Sequence, residues 1–240
     1  MRTGLRRGLK MRAGGNIMRR TAFALAAAAC ALAGWASAAD KPNFTGLWQV
    51  RAFVPALKTE GGKLPPLKPK ALELYKQRVA DRAAGRKTGD PIDDCAPHGV
   101  PRLMYAPYPL LIRQANGQLD MAQAANHTQR LIYIGQRQVA PGDPKWLGHS
   151  VAHWEGQTLV VQTINNDART WLDKAGLPHS ADMTVTERLS LGPGGKTLTD
   201  TITIDDPKTY LKPWTTAVRF DRKPGPPDRP EMVCSVDHKM

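Results

Sequence analysis

The chain has 240 residues, with 34 Lys and Arg against 21 Asp and Glu, 41% hydrophobic residues, and no apolar run as long as the roughly 20 residues a membrane-spanning helix requires. Gly and Pro together occupy 41 of the 240 positions, which suits one globular domain of short strands and turns and lies below the level of a disordered chain. The net charge of +13 does not indicate a nucleic-acid partner, because seven basic residues and no acid precede Ala39, leaving 27 basic against 21 acidic residues, a dispersed +6.

Arg19 and Arg20 precede an apolar run from Ala22 to Trp35 and then Ala36-Ser37-Ala38, the order of a charged region, a short apolar core and a small-x-small cleavage site. Residues 1–38 are therefore expected to be an export signal, with residues 39–240 forming a single domain in the periplasm or outside the cell. Loss of the signal removes Cys30 and leaves Cys95 and Cys234, which in an oxidising compartment have one possible intramolecular pairing. A redox or zinc role is disfavoured by the lack of a Cys-x-x-Cys pair.

The first strand is expected near 46–53, followed by a Pro- and Lys-rich stretch from Pro55 to Pro69. Leu72, Tyr75, Val79 and Ala83 then recur at helical spacing, predicting one helix near 70–84 that stops at Gly85. From Pro109 the period changes to two. Asn116-Gly117 between alternating apolar residues is a strong hairpin signature. Further strands are expected near 119–124, 128–134, 149–154, 158–164, 182–190, 197–204, 213–220 and 230–236. The connections are mostly short, so the expected fold is mainly β: an antiparallel meander of eight to ten strands closed into a barrel.

Gly46-Leu47-Trp48 in the first strand resembles the opening motif of lipocalins, and the meander resembles the calycin type of barrel. A longer likeness involves Pro42–Trp48, Gly148-His-Ser-Val-Ala-His-Trp-Glu-Gly156, Thr158–Val161, Trp171–Asp173, Pro178–Ser180 and Asp206-Pro207. These segments resemble a family of exported bacterial proteins with no assigned reaction, although Ala152, Gln157 and Gln162 stand where that family carries Gly and Asp. The resemblance implies an exported barrel and no particular chemistry.

Two charges interrupt apolar strand faces. Met183, Val185, Glu187 and Leu189 share one face, as do Leu198, Asp200, Ile202 and Ile204. A four-residue turn at Gly192–Gly195 would set Glu187 opposite Asp200. Facing carboxylates in a poorly hydrated site repel each other, which suits acid/base chemistry unless a cation lies between them. The alternative is that Glu187 pairs with an arginine such as Arg113 or Arg219.

His149 and His153 share one strand face about 13 Å apart, too far to chelate one ion as a pair. A turn at Glu155-Gly156 would set His153 opposite Thr158 and His149 opposite Gln162, a polar stripe facing either a wet cavity or solvent. The aperiodic segment Asn165–Ser180 carries Trp171 and His179 and is expected to be a lid or a plug. His98–Arg102 and Tyr105–Pro109 form a second expected rim segment, tethered by Cys95. No phosphate loop, dinucleotide fingerprint, nucleophile elbow or zinc-protease helix is present, and the sequence names no cofactor.

Two functions fit these features. The first is a barrel that binds a small apolar or aromatic ligand, with His179, Trp171, Trp154, Tyr105 and Gln162 as candidate contacts. The second is a barrel enzyme, an isomerase, lyase or hydrolase, working through Glu187, Asp200, His149 and His153, with or without a metal.

Overall fold

The computed structural model describes residues 41–224 apart from 124, 126–127 and 140–141. The expected signal 1–38, the strand near 230–236 and Cys234 lie outside the described residues. Nine strands close a barrel in chain order: β1 (Gly46–Val50), β2 (Leu110–Ala115), β3 (Gln118–Gln123), β4 (Gln129–Ile134), β5 (His149–Glu155), β6 (Thr158–Ile164), β7 (Thr184–Leu191), β8 (Thr197–Asp205) and β9 (Trp214–Lys223), with β9 pairing back onto β1. The fold is mainly β, as the period-two patterning indicates. The helix α1 (Pro69–Ala83) begins on a proline whose missing N–H costs nothing there, and Gly85 follows its end at φ +68°.

One pairing departs from the expected meander: β4 and β5 run parallel, with Ile132 beside Ser150. The connection 135–148 carries the chain back along the barrel before β5 begins, so its length permits a crossover that a tight hairpin would forbid.

Turn chemistry fixes the other registers. Asn116 and Gly117 both have positive φ, 51° and 72°, which two-residue hairpins of this twist require. Between β5 and β6 the turn is Gly156-Gln157, so Glu155 pairs with Thr158 and His149 with Ile164, two residues from the expected register. Gly156 supplies positive φ at the first turn position, which Glu155 would adopt only with strain. Between β7 and β8 the chain stays extended through Gly192, whose N–H bonds the Thr197 carbonyl, and turns at Pro193, which has no N–H for a ladder. Each correction is two residues, so every side chain keeps its expected face.

The hairpins β2–β3, β5–β6 and β7–β8 turn at one end of the barrel. The connections 51–109, 165–183 and 206–213 gather at the other end and plug it. Tyr105 donates its hydroxyl proton to the Leu172 carbonyl, Tyr210 donates to Pro178 at 2.9 Å, and the Asp173 carboxylate accepts the N–H groups of Leu57, Gly176 and Leu177. In the barrel, Trp48, Met121, Ile132, Val185, Ile202 and Ile204 are fully buried. Gly46 is part of the same construction. A Cβ there would lie 2.5 Å from Arg222 Nη1, whose guanidinium crosses the Trp48 ring at 4.3 Å.

Candidate functional site

Glu187 and Asp200 both point into the barrel and are almost wholly buried, but the two-residue register change sets them diagonally. Glu187 lies opposite Ile202, and Asp200 opposite Leu189. The expected face-to-face dyad is therefore replaced by an ion pair with a neighbouring acid. Arg130 on β4, rather than Arg113 or Arg219, reaches Glu187: Nη1 donates to Oε1 at 2.9 Å and Nη2 donates to Oε2. The same guanidinium donates to Thr163 Oγ1 at 2.8 Å and Ser150 Oγ at 3.1 Å, so four of its five N–H groups are used in a fork fixed by four strands. Arg113 is half-exposed beside Asp120, and Arg219 is exposed.

No donor reaches either oxygen of Asp200. Burial, reinforced by the Glu187 carboxylate, raises its pKa well above the ordinary carboxyl range. One cation thus serves one carboxylate, and burial pushes the second acid toward its protonated form. Arg130 was legible in principle. It alternates with Ile132 on an apolar face, the same pattern that singled out Glu187.

The histidines are placed elsewhere. Inward positions of β5 are Ser150, Ala152 and Trp154, leaving His149, His153 and Gln162 on the outside. His149 donates through Nδ1 to Gln138 Oε1 at 2.6 Å and stacks on Tyr133, whereas His153 is exposed beside Glu155. Neither approaches the interior carboxylates. Trp154 stacks on Phe44 at 5.9 Å.

Trp171 and His179 lie in the plug. The Ser180 carbonyl can only accept, so His179 Nδ1 donates to it at 2.9 Å, while Nε2 lies 2.7 Å from the Thr170 hydroxyl, which also reaches the Asp167 carbonyl at 3.0 Å. Burial lowers the His179 pKa and favours the neutral ring. Trp171 is buried beneath Arg78 of α1. Asn165–Ser180 is thus a plug with both residues committed to its packing.

An open cleft of about 150 Å³ lies at the plugged end, walled by Phe53, His98, Arg102, Tyr105 and Tyr108, with Asp93 and Lys174 also lining it. Glu187 and Asp200 are not among its lining residues. Its floor is fixed by a buried fork: Arg102 Nη1 and Nη2 each donate to Asp90 at 2.9 Å, and Arg82 adds a bond of 3.2 Å. Asp90 also accepts the Ile92 N–H, capping the 3-10 turn Pro91–Asp94.

His98 meets Tyr108 edge-on at 5.7 Å. Burial first, and then the Arg102 charge, push its pKa down to about 4, so the imidazole is neutral at neutral pH. Its Nδ1 is buried without a hydrogen-bond partner. Of the sequence-derived ligand candidates, Tyr105 lines this cleft together with Tyr108, His98 and Arg102 of the expected rim segment. The rim segments were visible in sequence as Tyr, Pro and His clusters, but Asp90 gave no periodic signal because it lies in a loop.

Among the described residues, no group of three His, Cys, Asp or Glu side chains is placed to hold a metal, and no helix is long and apolar enough to cross a membrane. No protein-family model and no curated protein matches the chain.

Proposed function

We propose that the protein is an exported barrel that binds a small ligand with an aromatic or apolar body, seated in the rim cleft rather than in the barrel lumen. The observation that carries this reading is the aromatic wall of Phe53, His98, Tyr105 and Tyr108 around open space at the plugged end. Such a concave, mostly apolar surface with a few fixed polar groups is what small-molecule sites use. Phe53 is 44% exposed, so a ligand would cover apolar surface now facing water. The orphaned His98 Nδ1 and the Lys174 ammonium would orient polar atoms of the ligand. The barrel-enzyme alternative is weakened because Glu187 is held by Arg130 and the candidate histidines lie outside.

The aromatic anion 8-anilinonaphthalene-1-sulfonate should bind the folded protein saturably with a rise in fluorescence. Tyr108→Ala should weaken that binding by about tenfold, the equivalent of ~1.4 kcal/mol, with little change in melting temperature. Equal binding by parent and variant would place the ligand seat elsewhere. Export and the Cys95–Cys234 bond belong to the same proposal, and Cys95 lies between the Asp90 fork and His98 in the chain. Intact mass of periplasmic protein, with and without reductant, should show loss of residues 1–38 and one disulfide. Two free thiols or a retained leader would refute the corresponding part.

A further inference from the structure

On the other side of the 3-10 turn lies a second cleft, about 440 Å³, lined by Arg78, Trp146, Arg169 and Trp171 and by Asp94. Arg78 is its unusual member. It is half-buried on α1, with its guanidinium carbon 4.1 Å above the Trp171 ring, and its one hydrogen bond runs from Nη1 to the Gly176 carbonyl at 3.1 Å.

The other arginines around the plug each hold a carboxylate. Arg82 and Arg102 share Asp90, and Arg169 is paired with Asp167 while lying over Trp146 at 4.8 Å. Among the described residues, Arg78 has no carboxylate within ion-pair distance. The acids that act on it are already occupied, Asp90 by its two arginines and Asp173 by three backbone N–H groups, and Asp94, which lines the cleft, is paired with Lys87 at 3.6 Å. Nη2 and Nε are neither sealed nor bonded, and they belong to a residue that lines the cleft.

A guanidinium held over an indole with two donor groups unused is positioned to take an oxyanion through paired bonds. We infer that this cleft is a second binding site, taking the carboxylate or comparable oxyanion of a small ligand on Arg78 beside Trp146. The inference does not rest on the rim cleft being occupied.

The test is a titration of the folded mature protein with benzoate, inorganic phosphate and methyl benzoate, followed by the NMR signals of the Trp146 and Trp171 indole N–H groups and of Arg78 Nε–H. Benzoate should shift all three saturably, and Arg78→Gln should weaken that response by about tenfold. A matching response to phosphate identifies a free oxyanion as sufficient, whereas its absence identifies an organic carboxylate. Methyl benzoate should have no effect. Still signals with both anions, an equal response to the ester, or undiminished binding by Arg78→Gln would overturn the inference. The Arg78 Nε–H signal of the parent keeps the test decisive should the variant fail to fold, because indole shifts without movement of that signal also contradict it.

Discussion

Glu187→Gln should lower the free energy of unfolding by about 3–5 kcal/mol at both about pH 5 and about pH 8, because the shape is kept while Arg130 is left as an uncompensated buried charge. Arg130 and Glu187 are each 1% exposed by side chain, so water cannot take over the lost interaction. The neighbouring acid should behave in the opposite sense. Burial raises the Asp200 pKa, which gives a contribution that is complete below the unfolded carboxyl value and is lost as pH rises through the folded value. Asp200→Asn should therefore change stability near neutrality by less than about 1 kcal/mol and flatten the alkaline fall. Denaturant midpoints for both variants check the pair. A neutral Glu187→Gln would mean that the carboxylate is not the structural partner of Arg130.

The second large effect is expected at the floor of the rim cleft. Asp90→Asn should destabilise the protein by about 3 kcal/mol, the lower part of the range for breaking a buried pair, because the cleft gives water some access to the stranded Arg102. Arg102 is 8% exposed by side chain, whereas Arg82 is 28% exposed and keeps Asp93 within 4.0 Å. The loss should thus come from Arg102. Thermal or urea unfolding measures it, and a change under about 0.5 kcal/mol, as at ordinary surface sites, would show that the fork contributes little.

The strands and the helix were legible because periodicity is local: alternation marks the two faces of a strand, and Leu72, Tyr75 and Val79 mark one side of α1. The faces of Glu187 and Asp200 were legible for the same reason. Their partners were not. Whether a turn starts at Gly192 or Pro193 moves the register by two, and pattern alone is blind to a shift that preserves every face. The parallel β4–β5 pairing was hidden in the length of 135–148. Asp90, His98 and Tyr108 meet through contacts between loops, whose conformations carry no period. The inward or outward choice for His149 and His153 depended on which side of β5 met the core, and Ala152 with Trp154 took that side.

Ligands should sit at the rim and not in the lumen, which backbone NMR of the mature protein titrated with 8-anilinonaphthalene-1-sulfonate tests most directly. Shifts should concentrate at Phe53, His98, Tyr105 to Tyr108 and Lys174, with Arg130, Thr163 and Glu187 unmoved. Shifts centred on those three lumen residues, with the rim still, would contradict it.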